Sequence, residues 1–238
     1  MNLHLDPPLT PRGVLLRHRP VVLTIAALAV ALAVLGAVDG GSVLLVVDEP
    51  IQRWVEAHRT PGWERVVLIF SRLGSNLFVF SAFAVLVVWA HRRCRTLALT
   101  LTAAVLVRPA FEFLVKELIG RERPDFDRLV TGSGPSMPSG HVLAAVALWG
   151  LLPPLVAAFA RSRVLWWATV VASTVVVTGV AASRVYLGVH WFTDLIEGFL
   201  LGSLYLVALE ILFAHHHRHR SCPLVDRASS PVAAGQGI

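Results

Sequence analysis

The sequence is poor in charged residues and in cysteine. Only 15% of its 238 residues are charged, whereas 55% are hydrophobic. A soluble chain of this length buries one core and does not carry many long uncharged runs, so this balance argues against a soluble protein. The two cysteines, Cys94 and Cys222, argue against a disulfide framework or a thiolate metal site, and we expect neither.

Lysine is almost absent as well. Lys116 is the only lysine among the 21 lysine and arginine residues, so the chain uses arginine wherever a plain positive charge is sufficient. A compact ammonium group on a flexible stem is therefore specifically favoured at position 116. A lysine that only reaches up to the membrane surface is the plainer alternative. The arginine and proline that follow at positions 123 and 124 favour a functional role.

The sequence instead has several apolar runs that approach the roughly 20 residues needed to cross about 30 Å of hydrocarbon. A short amphipathic helix is expected after the first run, because Ile51, Trp54, Val55 and His58 follow Pro50 at helical spacing. The first run resembles a secretory signal, but it is longer than a signal core and lacks a small-residue cleavage site, so we expect it to be retained. These runs predict an all-α, polytopic membrane helix bundle with about six spans, near Val21 to Val38, Leu73 to Trp89, Thr96 to Val115, His141 to Ala160, Val164 to Ala182 and Phe192 to Ala214.

Three short motifs stand at the ends of these runs. They are Lys116 to Pro124 (KELIGRERP), Pro138 to His141 (PSGH) and Ser183 to Asp194 (SRVYLGVHWFTD). Alternating crossings of the membrane place all three motifs at the same face. Three motifs in a fixed order are far more specific than any one of them.

This set resembles the three signature motifs of the type 2 phosphatidic acid phosphatase (PAP2) superfamily, at every defining position and in the order of the family. The resemblance covers about a third of the chain. It implies a membrane-embedded lipid phosphatase that needs no metal ion and no cofactor. We expect a single PAP2-type transmembrane catalytic domain over residues 21–214, between an N-terminal arm (1–20) and a basic, disordered tail (215–238).

The residue types of the motifs suit chemistry on a phosphate ester. The negative charge of such an ester repels a nucleophile, so catalysis needs positive groups around the phosphate. Lys116, Arg123 and Arg184 are the candidates. Ser139 and Gly140 open the fourth span, where free backbone N–H groups and the helix dipole make an anion site and glycine permits close approach.

His190 is the candidate nucleophile. Asp194 lies one helical turn further on, where its carboxylate can accept the proton of one imidazole nitrogen and leave the other free to attack. His141 is expected to protonate the leaving group, after which water hydrolyses the phosphohistidine. The resemblance implies the same catalytic roles. The plain alternative for His190 is a structural histidine at the interface.

Further charged residues are predicted beside the phosphate ligands. Arg108, Glu112 and Lys116 are spaced four residues apart, so one face of the third span carries alternating charges. The pair of Arg108 and Glu112 is either purely structural or a support in which Glu112 holds Lys116 in position and keeps it charged. Arg121 and Arg128 either hold a second phosphate or are ordinary surface arginines.

The distribution of arginine predicts the orientation. The positive-inside rule places both termini in the cytoplasm and the motifs at the outer face of the plasma (inner) membrane. Because the charge is split into short clusters, we expect anionic lipids and no nucleic acid as partners. The stretch from His215 to Arg220 is either a juxtamembrane basic cluster or a metal site. The arginines of the predicted cytoplasmic segments are Arg12, Arg17, Arg19, Arg92, Arg93, Arg95, Arg161, Arg163, Arg218, Arg220 and Arg227.

The motifs leave the substrate and the acceptor open. Phosphatidic acid, phosphatidylglycerophosphate and polyprenyl mono- or diphosphates all fit a lipid that enters the site sideways from the membrane. A phosphotransferase would use the same phosphohistidine and pass it to an alcohol. A non-catalytic lipid transporter or scaffold is the third interpretation, since charges within spans are usually functional. The oligomeric state is not predicted.

Overall fold

The computed structural model describes residues 11–159, 162–217 and 222. Most of the described residues are helical and none lies in a β-strand, which confirms the predicted all-α class. They form nine α-helices: α1 (Pro11–Ala37), α2 (Ser42–Ala57), α3 (Pro61–Leu73), α4 (Asn76–His91), α5 (Arg95–Ile119), α6 (Gly140–Trp149), α7 (Leu152–Phe159), α8 (Arg163–Tyr186) and α9 (Phe192–His217).

The helices account for the predicted membrane spans. Five segments of the described chain are long and apolar enough to cross a membrane, and α3 with α4 makes a sixth if this pair is one span bent by 45°. Helix α4 alone has only 16 residues, which explains why the second span needs part of α3. The five segments are His18–Ala57, Arg95–Ile119, Gly140–Ala157, Arg163–Tyr186 and Phe192–His217.

The first apolar segment is broken where the sequence reads Asp39-Gly-Gly. Asp39, Gly40 and Gly41 have φ values of 47°, 66° and 82°, and this left-handed backbone is readily adopted by glycine. Helix α1 therefore ends and α2 starts in a new direction. The predicted amphipathic helix is present but longer than expected. Its residues Ile51 and Val55 pack against buried residues of α6, α8 and α9, and its placement at the membrane interface stays a prediction.

Helix α6 lies at the centre of the bundle, and every residue from Val142 to Leu148 is buried. It packs against both α8 and α9. Glycines on α9 allow the close approach. A β-carbon on Gly198 would lie 2.7 Å from the carbonyl oxygen of Ser139, and one on Gly202 would lie 2.7 Å from Val146. The start of α6 is thereby held beside the start of α9.

The expectation that the cysteines are unpaired was wrong. Cys94 and Cys222 form a disulfide bond within a buried apolar cluster. A separation of 128 residues gives no local signal for this pair. The pairing follows from tertiary structure, because α9 runs antiparallel to α5 and returns the chain to the turn before α5. Helix α9 continues to His217, and the rest of the predicted tail, apart from Cys222, lies outside the described residues.

Candidate active site

The three motifs meet at one end of the bundle. Lys116 lies in the last turn of α5, which ends at Gly120 in a left-handed conformation (φ +65°). His141 is the second residue of α6, and Arg184 lies in the last turn of α8. Asp194 lies in the first turn of α9. Helix ends of opposite direction therefore bring together residues that are far apart in the sequence.

His190 lies between a carboxylate and a guanidinium group. Its Nδ1 is 3.4 Å from Oδ2 of Asp194, and its Nε2 is 3.3 Å from Nη1 of Arg123. A carboxylate only accepts hydrogen bonds and a guanidinium only donates them. The two contacts together require the tautomer that carries its proton on Nδ1. Nε2 then carries the lone pair, and this lone pair faces the guanidinium of Arg123.

The surroundings keep this imidazole neutral. His190 is buried, and burial lowers its pKa well below the usual value for histidine. The positive charges of Arg123, Arg184 and Lys116 lower the pKa of His190 further. A neutral imidazole is the form in which histidine acts as a nucleophile. The same arrangement also shows that the three predicted phosphate ligands lie close enough to His190 to affect its charge.

Arg123 is fixed by the loop that precedes α6. Its guanidinium donates to the carbonyl oxygens of Gly134 at 2.9 Å, Ser133 at 2.9 Å and Val189 at 2.6 Å. Three backbone acceptors hold the planar group in one orientation. The loop between α5 and α6 and the segment that carries His190 are thereby tied to the same side chain.

Two polar atoms of the predicted phosphate ligands have no hydrogen-bond partner among the described residues. They are Oγ of Ser139 and Nε of Arg184, and both are buried. Ser139 precedes α6, but its hydroxyl does not cap the helix. Arg184 uses Nη1 to donate to Oγ of Ser71 at 2.7 Å. Buried polar groups are costly to leave unpaired, so these atoms suit a site for a polar ligand.

Glu112 stands between two basic residues and the start of α6. Its carboxylate accepts a hydrogen bond from Arg108 at 2.7 Å and lies 3.6 Å from Nζ of Lys116. The same carboxylate packs against Gly140 so closely that a β-carbon there would overlap it. Arg108 also donates to Oδ1 of Asn76 at 2.6 Å. The alternating charges predicted for α5 are therefore paired in the structure.

Arg121 is fully buried and bound to two carboxylates. Nη1 donates to Oδ1 of Asp194 at 2.8 Å, and Nη2 donates to Oδ2 of Asp48 at 2.7 Å. Both terminal nitrogens of its guanidinium are therefore engaged by carboxylates. Arg128 is exposed, and its Nε donates to the carbonyl oxygen of Pro124.

Sequence reasoning missed Asp48 and Ser71, which contact Arg121 and Arg184. Ser71 has no distinctive pattern around it. Asp48 carried a weak signal, since Asp48 and Gln52 are polar residues one helical turn apart in an apolar helix and both are buried.

Within residues 11–159, 162–217 and 222, no group of three or more His, Cys, Asp or Glu side chains is arranged to hold a metal ion. The stretch from His215 to Arg220, for which a metal site was the alternative, lies partly outside these residues.

Fold and site together define a membrane helix bundle with a buried histidine and carboxylate among basic side chains. The family model described as the PAP2 superfamily matches residues 97–218, just over half of the chain. The protein therefore belongs to the PAP2 superfamily, and the predicted resemblance is confirmed.

Two known proteins extend this comparison. Phosphatidylglycerophosphatase B of Bacillus subtilis (strain 168) is 40% identical over 96 residues, which is 38% of this chain and 45% of the relative. The aligned segment thus spans about half the length of that relative. The crystal structure of the first transmembrane PAP2 type phosphatidylglycerolphosphate phosphatase from Bacillus subtilis is similar with a TM-score of 0.71 and 26% identity, covering 79% of this chain and 93% of that one.

Proposed function

We propose that this PAP2 protein is an integral membrane lipid phosphatase that works through a phosphohistidine and needs no metal ion. The observation that carries the proposal is the position of His190, with Asp194 at Nδ1 and Arg123 at Nε2. This is the arrangement that a neutral nucleophilic imidazole requires, because one nitrogen is oriented by a carboxylate and the other faces a cation that binds phosphate oxygens.

The reaction has two steps. In the first, Nε2 of His190 attacks phosphorus, the bond from phosphorus to the lipid oxygen breaks, and His141 gives its proton to the leaving oxygen. In the second, water attacks the phosphohistidine, His141 takes a proton from that water, and inorganic phosphate leaves. Asp194 keeps the Nδ1 proton in place while positive charge develops on the ring. No electrons are exchanged, and the sum of the steps is hydrolysis.

Positive charge around the phosphate lowers the barrier. Lys116, Arg123 and Arg184 neutralise the oxygens of the transferred group. Ser139 Oγ and Arg184 Nε supply the unpaired donors that the structure leaves buried. The N-terminus of α6 adds free backbone N–H groups at Gly140 and His141.

We propose phosphatidylglycerophosphate as the substrate. The relative and the solved structure compared above both carry that lipid in their names. It presents a phosphomonoester on a lipid headgroup, which suits a site at the end of a membrane bundle. Phosphatidic acid and polyprenyl diphosphate serve as the comparison substrates.

Phosphate release by the purified full-length protein in detergent tests this function. Wild type is expected to release inorganic phosphate from phosphatidylglycerophosphate equally well with and without EDTA, and faster than from the comparison substrates. His190→Ala is the matched inactive control. Loss of activity in EDTA would contradict metal independence. Recovery of the phosphate on a labelled acceptor lipid would assign a phosphotransferase instead.

We further propose that the site faces the outside of the plasma (inner) membrane and that both termini are cytoplasmic. The arginine clusters support this orientation. The Cys94–Cys222 bond lies at the arginine-rich end of the bundle, whereas disulfides persist chiefly in oxidising compartments. The arginine clusters and the disulfide bond thus favour opposite orientations of the protein. The orientation therefore has to be measured.

Single cysteines introduced into a Cys94→Ser/Cys222→Ser background test the orientation. Asp127→Cys reports the site end and Arg93→Cys the opposite end, and both positions are exposed. A membrane-impermeant thiol reagent is expected to label intact cells only at position 127. Labelling only at position 93 would place the site in the cytoplasm.

A further inference from the structure

Helix α2 contributes a buried carboxylate to the active site. Asp48 is fully buried, although much of α2 is exposed. Its Oδ2 accepts hydrogen bonds from Arg121 at 2.7 Å and from Oγ1 of Thr193 at 2.6 Å. Its Oδ1 accepts from the backbone N–H of Thr193 at 2.9 Å. One side chain of α2 thus contacts both the loop after α5 and the start of α9.

These contacts cap the helix that carries Asp194. The residue before α9 is Trp191, whose side chain has no oxygen to accept a hydrogen bond from the free N–H groups of the first turn. Asp194 itself accepts from the N–H of Trp191 at 2.9 Å, as the third residue of a helix does in a capping box. The N–H of Thr193 is satisfied by Asp48. The start of α9 is therefore held in place from another helix.

Asp48 also shares the positive charge of Arg121 with Asp194. The guanidinium is buried between Asp48 and Asp194 and donates to each of them, and Nη1 reaches Oγ1 of Thr193 at 2.7 Å as well. Two carboxylates and one arginine leave one negative charge in excess. With a neutral residue at position 48, Arg121 would be balanced by Asp194 alone. Asp194 would then attract the Nδ1 proton of His190 less strongly.

We infer that Asp48 is a positioning residue for the phosphatase reaction. Through Arg121 and Thr193 it fixes the carboxylate of Asp194, so that this group orients His190 and stabilises the ring as the bond from nitrogen to phosphorus forms. The inference rests on the proposed roles of His190 and Asp194. Position 48 lies outside residues 97–218, which match the family model, so the active site extends into a helix that the three motifs do not contain.

Asp48→Asn tests this role, with Glu49→Gln as the matched control. The asparagine retains an oxygen for the N–H of Thr193 but removes the charge. We expect kcat on phosphatidylglycerophosphate to fall by about 10- to 100-fold, the range found for carboxylates that orient metal-ligating histidines, while KM changes by less than about threefold. Glu49 is on the same helix, is partly exposed and pairs with Arg53. Its change to glutamine is expected to leave kcat unchanged.

A rapid-quench measurement separates positioning from stability. The rate at which phosphohistidine forms in a single turnover is expected to fall in Asp48→Asn in parallel with kcat, at a temperature where circular dichroism shows the protein folded. A folded Asp48→Asn protein that forms phosphohistidine at the wild-type rate would overturn the inference, even with a lowered melting temperature.

If Asp48→Asn does not fold, Thr193→Val provides the second test. It removes the hydroxyl that contacts both Asp48 and Arg121 and keeps every charge, and a loss of about 3- to 10-fold in kcat is expected for one such hydrogen bond. A normal kcat in Thr193→Val would then overturn the inference. Failure of the proposed function gives a different pattern, because wild type would form no phosphohistidine or His190→Ala would remain active.

Discussion

The two ends of the bundle are built from the same helices but have opposite character. Where α5 ends and α9 begins, arginine, histidine, aspartate and threonine side chains are buried in one network. Where α5 begins and α9 ends, the core consists of apolar residues around the Cys94–Cys222 bond. Helix α5 separates the two ends by about 37 Å, at 1.5 Å for each residue.

This contrast indicates that the two ends of the bundle have different roles. Buried charged groups are expensive in a membrane protein and are kept mainly where chemistry or binding needs them. Apolar packing and a covalent bond stabilise the bundle without such groups. We therefore expect changes at the site end to act on turnover and changes at the disulfide end to act on stability.

The largest expected effect comes from comparing one change at each end. His190→Ala removes the proposed nucleophile and is expected to lower kcat by at least about 1000-fold, because no other group would replace covalent catalysis. Cys94→Ser/Cys222→Ser is expected to retain kcat within about twofold. Steady-state phosphate release measures both. A turnover loss in the serine variant comparable to that of His190→Ala would remove the distinction between the two ends.

The disulfide end should show the larger effect on stability. A bond that joins residues 128 positions apart restricts the unfolded chain, and such bonds typically contribute about 2–4 kcal/mol. Reductant is expected to lower the thermal midpoint of wild type in detergent and to have no effect on Cys94→Ser/Cys222→Ser. An unchanged wild-type midpoint after complete reduction would contradict this role.

Glu112 and Arg108 sharpen the comparison because they lie on one helix face at increasing distance from Lys116, a proposed phosphate ligand. Glu112→Gln weakens the hold on Lys116, so we expect kcat/KM to fall by about 10- to 100-fold. Arg108→Gln leaves the Glu112 carboxylate without its deeper partner and is expected to lower mainly the melting temperature. Steady-state kinetics and thermal unfolding of both variants test these two expectations. If Glu112→Gln has normal kinetics and a lowered thermal midpoint, this face of α5 has only a structural role.

The smallest expected effect is on the pH dependence of stability. The pKa of His190 is lowered in the folded protein, so unfolding takes up a proton when the pH lies below about 6.5, the usual value for histidine. Stability is therefore lost as the pH falls below this value, because only the unfolded chain takes up the proton. The groups that face His190 are Asp194, Arg123, Arg184, Lys116 and His141.

His190→Ala isolates this contribution. The decrease in the unfolding midpoint between pH 7.5 and pH 5.5 is expected to be smaller in His190→Ala than in wild type. Equal decreases in the two proteins would show that His190 is not held neutral by the folded structure.

Local patterns were sufficient to predict the spans and the motif residues. Hydropathy gives the length of an apolar run directly, and the three motifs stand at span ends, so a six-span bundle brings them to one face. The pairing of Arg108, Glu112 and Lys116 followed from helical spacing alone. These features depend on neighbours within one or two turns, which the sequence displays.

The features that the sequence did not reveal depend on contacts between distant elements. Cys94 and Cys222 pair because α9 returns beside α5. Arg121 was expected either to hold a second phosphate or to be an ordinary surface arginine, yet it is buried because Asp48 and Asp194 approach it from two other helices. Asp48 looked like one of several acidic residues that follow the first apolar run. Tertiary packing, and not local propensity, decides each of these.

The central claim is that His190 carries the phosphoryl group during turnover. Rapid acid-free quenching of wild type with phosphatidylglycerophosphate labelled in its terminal phosphate, followed by proteolysis and mass spectrometry, tests it most directly. We expect an acid-labile, base-stable phosphate on the peptide that contains His190, formed within the first turnover and absent from His190→Ala. Full turnover with no phosphorylated peptide, or with the label on a different residue, would contradict it.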